Sequence, residues 1–339
     1  MTRLVQLSRG DERRVALVDE PRLRFLGGVE STYALAWAAL TQGASLGALA
    51  AERAGGESLD YDAVYDGRSE WRLLTPIDHL VDQARCLVSG TGLTHLGSAH
   101  QRQTMHRATE EGEGEGEQLT DSMRMFQWGV EGGRPAAGTI GAAPEWFFKG
   151  NGTVLRAHGA PLDVPPHGED GGEEAEIAGI YVIDSEGLPW RVGMCNGNEF
   201  SDHVFEKRNY LNLAASKLRT CAIGPELVLD PDFVSVRGTA RVERAGATLW
   251  SKEILTGEAE MCHSLRNIEH HHFKFAQHRC PGDVHVHYFG ACALSFGDAV
   301  SLADGDVMHV HFHGFGRPLR NPLRADAAPN ALVTVRSLA

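Results

Sequence analysis

The stretch Gly171–Val182, GGEEAEIAGIYV, decides the fold and poses a problem. Its second half is apolar and rich in Ile, Val and Tyr, the composition of a buried β-strand. Glu174 and Glu176 stand two apart at the head of that strand. Side chains at i and i+2 of a strand project from the same face. Two carboxylates on one buried face repel each other and are costly to desolvate unless something positive lies between them.

Working outward, the segment GNEFSDH brings Glu199 and Asp202 after this strand. Three carboxylates brought together suit Mg²⁺ or Mn²⁺, which prefer oxygen ligands and need neither His nor Cys. On spacing alone, solvated acidic residues remain the commoner explanation.

From about residue 140 the chain is strand-rich. EIAGIYVI, PWRVGMC, GTARVER, ATLWSKEIL, DVHVHYFG, AVSLADGD and DVMHVHFHG are short, often alternating runs separated by Gly, Asp and Pro. Two helices interrupt them, expected over roughly 201–217 and 262–275. Upstream, VALVDE and RLRFL read as strands and 31–54 as helical. Residues 1–85 are expected to form a small N-terminal α/β domain and 86–339 the main body. The run EEGEGEGE at 110–117 is acidic, glycine-rich and unable to build a core. It predicts a mobile insertion around 103–120. The fold class that follows is α+β, mainly β.

The chain has 339 residues and a formal net charge of −13. An acidic surface argues against nucleic acid or anionic membrane as partner. The six cysteines form no CxxC pair and read as reduced thiols. MTRLVQLSRGDERR lacks an apolar signal core, and YALAWAALTQGASLGALAA reads as amphipathic helix and not a membrane span. A soluble, cytoplasmic protein is expected.

Other residues carry weaker signals. His285 and His287 share a strand face, as do His309, His311 and His313. Cupin barrels begin a metal site with HxH, but the glutamate they need is missing here, so these are read as sheet-face residues. His270, His271 and His272 lie on consecutive helical positions, face different ways and cannot converge on one ion. Lys149 in PEWFFKG and Lys217 in AASKLRT could hold a substrate carboxylate if they lie near the acidic residues. No P-loop or GxGxxG is present.

Taken in order, several segments resemble the fumarylacetoacetate hydrolase superfamily. GTGLTHLGSAH is similar to its glycine-led loop, PEWFFKG to its P-x-FF-x-K segment and EEAEIAGIYV to its E-x-E-L strand. GNEFSD resembles N-D-x-S, and SKLRTCAIGPEL resembles the lysine-then-GP element. PGDVHVHYFGA, DGDVMHVHF and GFGRPLRNPL resemble the closing signatures. The resemblance covers roughly 86–325. It implies a mixed β-roll core, a homodimer, and Mg²⁺ (or Mn²⁺) held by Glu174, Glu176 and Glu199. Glu199 replaces the usual aspartate, with Asp202 as reserve ligand.

Two departures bear on activity. The water-activating His-Glu dyad of the family's hydrolases falls on Ser98 and Gln101 here. The T-G-T substrate loop reads Phe289–Gly290–Ala291. Loss of the dyad fits a branch that dehydrates 2-keto-3-deoxy sugar acids, and HLGSAHQR, LTDSM, GGEE and EHHHFK resemble that branch. The implied reaction converts a pentonate to 2-oxoglutarate semialdehyde through a metal-stabilised enolate. Candidate catalytic residues are Lys149, Lys217, His95 and His100. Candidate substrate contacts are Ser98, Ser122, Gly290 and Ala291. Hydrolysis of an acylpyruvate or other 2,4-diketo acid is the alternative, and a non-catalytic sugar-acid-binding protein a third.

Overall fold

The computed structural model describes residues 1–97, 99–100 and 120–338. Among them the strands form one large sheet of thirteen and a second of five. The protein is mainly β with mixed pairing, as expected. The expected insertion around 103–120 lies almost wholly outside the described residues, as do Ser98 and Gln101.

The strand Ala175–Ile183 is at the centre and is buried along its whole length. It pairs antiparallel with Pro189–Asn198 on one side and with Val284–Tyr288 on the other. Val284–Tyr288 then runs parallel to Cys86–Gly92, which pairs antiparallel with Glu145–Asn151. The second sheet is built on the hairpin Val236–Arg244 and Ala247–Thr256, and continues through Val307–Phe312 to Leu319–Ala325. The apolar residues of the central strand face two cores. Ala178, Ile180 and Val182 pack with Val88, Val284 and Val286, while Ile177 packs with Phe289, Val310 and Phe312.

The N-terminal segment has an apolar cluster of its own around Leu7, Phe25, Tyr61 and Trp71. Its strand Arg3–Arg9 also pairs with Leu227–Val228 and so continues the large sheet. The helical region is two helices. Thr32–Gln42 is capped by Ser31 and ended by Gly43 in the left-handed region, and Leu46–Arg53 is capped by Ser45. No single helix among the described residues is long and apolar enough to cross a membrane; this pair, bent by 115°, packs Leu35, Ala36, Leu49 and Ala50 into the core.

Two sequence expectations need correction. The helix expected over 201–217 is broken into His203–Arg208, a turn of 3₁₀ helix at Tyr210–Asn212, and Leu213–Ser216. Asn209 is extended and its side chain accepts the Leu211 N–H, which restarts the chain. The strand expected at AVSLADGD is absent. Ala299 has φ +60°, and Asp306 spends its carboxylate on the Ala303 N–H and on Arg244. The helix expected at 262–275 is present as Leu265–Phe273, capped by Ser264.

Candidate metal centre

The hairpin explains how the carboxylates meet. In its antiparallel register Ala175 lies opposite Asn198 and Glu176 opposite Gly197. The pairing extends one step further, the Glu199 N–H donating to the Glu174 carbonyl at 3.0 Å. Glu174 and Glu199 are therefore cross-strand neighbours at the open end of the hairpin. Asn198 fixes this end by accepting the N–H groups of Glu174 and Phe200. Strand alternation sends Glu173 the other way, where Ser295 satisfies it through its N–H and hydroxyl, each at 2.7 Å.

Glu174, Glu176 and Glu199 are at most 4 % exposed. Each offers a carboxylate oxygen within 4.8 Å of the others. In an octahedral Mg²⁺ shell with bonds of about 2.1 Å, ligands lie about 3.0 Å (adjacent) or about 4.2 Å (opposite) apart, so the three would draw inward to share one ion. The donor set is oxygen only, and it fits Mg²⁺ or Mn²⁺. Among the described residues no other group of His, Cys, Asp and Glu is placed to share a cation.

Asp202 is not a reserve ligand. Its Oδ1 caps the helix His203–Arg208 by accepting the Phe205 N–H at 2.9 Å. Its Oδ2 accepts from Arg219 at 2.7 Å and from the Glu169 N–H at 2.9 Å.

Both lysines reach the centre. Lys217 donates to Glu174, to Glu199 Oε2 at 2.5 Å and to the Ser201 hydroxyl at 3.0 Å, with its ammonium 4.8 Å from the centre of the Phe147 ring. Lys149 is the extra residue where pairing shifts between Val88–Gly150 and Ser89–Phe148. Such a bulge re-aims a side chain, and Lys149 Nζ meets Glu199 Oε1 and the carbonyls of Glu199 and Phe200, all at 2.6 Å. An ammonium has three N–H groups, so those of Lys149 are all engaged on Glu199 and Phe200. This geometry makes Lys149 a holder of the third carboxylate.

Burial, then the charges of Glu199 and Glu174, push Glu176 well above the usual carboxylate range. Burial and the Glu174 charge raise Glu199, against the pull of Lys149 and Lys217. Three carboxylates outnumber the two ammonium groups, and the upward shift of Glu176 means that it takes up a proton unless a cation balances it. Glu174 also acts on His203, whose Nε2 is 3.1 Å from Glu174 Oε1. Burial opposes a charge on His203, but the bond to Glu174 and that carboxylate's charge outweigh it and raise its pKa. His203 was not singled out from sequence, although it stands one residue after the GNEFSD motif.

The glycine loop and the Phe289–Ala291 turn close one side. The Gly290 N–H donates to Glu176 Oε2 at 2.6 Å. Gly290 has φ +98°, and a side chain there would meet the Thr94 hydroxyl at 2.0 Å. Thr94 donates to the Phe289 carbonyl at 2.8 Å and lies 2.9 Å from His95 Nδ1. His95 Nε2 in turn meets the Thr256 hydroxyl at 3.0 Å, and burial lowers this imidazole to about 4. The Gly290 N–H expected for substrate is thus engaged with Glu176. Ala291 is buried beside it. His100 is exposed. Ser122 is buried in the first turn of the helix Asp121–Gly132, and its hydroxyl has no hydrogen-bond partner among the described residues.

The fold and the buried carboxylates define a class, a mainly β α+β scaffold with a candidate oxygen-ligand cation site. No family model and no curated protein sequence matches the chain. Solved structures do. A 2-keto-3-deoxyarabinonate dehydratase superposes with a TM-score of 0.70 at 18 % identity, over 96 % of this chain and 100 % of that one. The same kind of enzyme complexed with magnesium and 2,5-dioxopentanoate gives 0.68 at 18 %, over 96 % and 99 %. A 5-carboxymethyl-2-hydroxymuconate delta-isomerase from Mycobacterium smegmatis gives 0.57 at 16 %, over 96 % and 100 %. At these identities the likeness establishes the fold, which is the one the sequence resemblance implied.

Proposed function

We propose that this protein is a metal-dependent dehydratase of a 2-keto-3-deoxy sugar acid, with a pentonate as substrate and 2-oxoglutarate semialdehyde as product. The observation that carries the proposal is the buried trio Glu174, Glu176 and Glu199, in which three carboxylates face the two ammonium groups of Lys149 and Lys217. With Glu176 held ionised by a divalent cation, the set would carry one positive charge, which one substrate carboxylate would neutralise. When bound, the cation would polarise a 2-keto group and stabilise the enolate that forms as a C3 proton leaves. Loss of the C4 hydroxyl as water and tautomerisation complete the reaction. The chain's own residues orient the ligands: Lys217 spans Glu174 and Glu199, Lys149 fixes Glu199, and the Gly290 N–H fixes Glu176. The dehydratase structure that holds magnesium and 2,5-dioxopentanoate, another name for 2-oxoglutarate semialdehyde, supports this choice among the reactions the fold hosts.

The test is an NMR time course. It uses Mg²⁺-loaded protein with 2-keto-3-deoxy-pentonates of both configurations and a 2,4-diketo acid. Semialdehyde with an unbroken carbon chain is expected. Cleavage of the diketo acid alone would establish the hydrolase instead, and bound ligand without turnover would establish a binding protein.

A further inference from the structure

We propose that His203 is a positioning residue for the metal ligand Glu174, clamped in place by the bare backbone of Gly172, and that this pair tunes the centre's affinity for its cation. The inference rests on the metal reading above.

Three observations carry it. His203 is 2 % exposed and its Nε2 lies 3.1 Å from Glu174 Oε1. A carboxylate ligand accepts, so Nε2 carries the proton and donates. Second, the opposite edge of the ring faces backbone. A Cβ on Gly172 would lie 2.2 Å from Nδ1 and 2.4 Å from Cε1, so only glycine leaves room for this ring. Nδ1 has no hydrogen-bond partner among the described residues, and Phe296 packs nearby with ring centroids 5.2 Å apart. Third, the two backbones are tied together. Gly172 and Ser201 exchange both N–H···O bonds at 3.0 Å, and Asp202 pins the start of the helix on which His203 is the first residue.

These contacts separate positioning from catalysis. One ring nitrogen is committed to a ligand and the other abuts main chain, so neither is presented to a substrate. What the imidazole does is fix the orientation of one carboxylate. Partners that orient a metal ligand in this way are typically worth about 10- to 100-fold in metal affinity.

The test measures Mn²⁺ binding by calorimetry and EPR on the full chain. His203→Leu is expected to weaken binding by about 10- to 100-fold. His203→Gln, whose amide can place an N–H near the Nε2 position, is expected to restore most of the loss. Gly172→Ala alters neither ligand nor donor, yet is expected to weaken binding by displacing the ring. Unchanged affinity in His203→Leu, with Glu176→Gln strongly weakened, would overturn the role of His203 and leave the metal centre standing. Equal losses in all three variants, without rescue by glutamine, would show a general packing role and also overturn it. No Mn²⁺ binding by the unmodified protein would overturn the metal reading and this inference with it. Should His203→Leu fail to fold, His203→Gln and Gly172→Ala still decide: wild-type affinity in Gly172→Ala overturns the clamp.

Discussion

Two buried polar clusters lie on opposite faces of the large sheet, and they are built on different principles. The strand Glu145–Asn151 touches both. Phe147 turns toward Lys217 and the carboxylates, while its neighbour Trp146 turns toward His272. On the first face, three carboxyl groups face two ammonium groups. On the second, His272, His278, His285 and His287 are packed at ring separations of 4.5–5.6 Å and at most 4 % exposed. There one hydrogen-bond donor fixes the tautomer of His272. Trp146 donates to His272 Nδ1 at 3.2 Å, so the proton of His272 is on Nε2 and is given to His285 Nδ1 at 2.9 Å. His287 sits between the hydroxyls of Ser89 and Thr91, at 2.9 and 2.7 Å. Equal burial therefore does not mark a binding site. Crowded carboxylates are the better mark, because burial drives them to take up a proton unless a cation takes its place.

The sharpest way to break this contrast is Lys217→Met. It leaves Glu174 and Glu199 facing each other in the interior with one ammonium fewer. Breaking a buried charge cluster from one side costs about 3–5 kcal/mol, to be measured by urea unfolding in a chelating buffer. Added Mg²⁺ is expected to return part of that loss by binding the native state. If the variant is as stable as the parent without metal, the lysine is not balancing the carboxylates. Glu176→Gln is the complementary change. It removes a ligand while keeping shape, and turnover is expected to fall by about 10²–10³-fold, the usual cost of losing one charge-stabilising group. The rise in melting temperature on adding Mg²⁺ should shrink in parallel.

Acid should expose the other face. Burial, followed by the neighbouring imidazoles, holds His272 far below its ordinary value and lowers His285 and His287 to about 3. A histidine depressed on folding takes up its proton more readily in the unfolded chain. Its contribution to stability is thus complete above about pH 6.5 and is lost as pH falls toward 3, on the order of 1 kcal/mol per pH unit for each histidine. Urea midpoints between pH 7.5 and 4.5 should fall with that slope, and His285→Leu should flatten it. A flat profile in the parent protein would mean that the cluster is not held neutral.

The two faces were not equally legible in the sequence. The carboxylate face was, because strand alternation puts Glu174 and Glu176 on one side and the order of the motifs supplied Glu199. Choosing Glu199 over Asp202 needed the cap and the Arg219 contact, which spacing cannot show. Lys149 was named, but its commitment to Glu199 depends on a one-residue bulge with no local signal. His203 was missed because its partner is 29 positions away and its ring is seated by a glycine in another segment. The histidine face was legible only as HxH on a strand. Its four rings come from a helix, a 3₁₀ turn and a strand, and their pairing exists only after these pack.

Trp146→Phe probes the smallest term and the most specific one. The indole is 38 % exposed and donates a single bond to His272, while its ring also lies near His278. Replacing it with phenylalanine keeps an aromatic surface and removes only the donor. A lost hydrogen bond of this kind costs about 1 kcal/mol. The informative consequence is chemical. Without the indole N–H, His272 Nδ1 is no longer obliged to accept, and the proton that now sits on Nε2 can move to the other nitrogen. His285 Nδ1 would then lose its donor. Nitrogen-15 spectra of the imidazoles should show one fixed tautomer at His272 in the parent protein and a mixture in the variant, with Mn²⁺ affinity unchanged. A single unaltered tautomer in Trp146→Phe would show that the order in the cluster comes from packing alone. A change in Mn²⁺ affinity would show that the two faces of the sheet communicate, and the contrast between them would have to be redrawn as one coupled system.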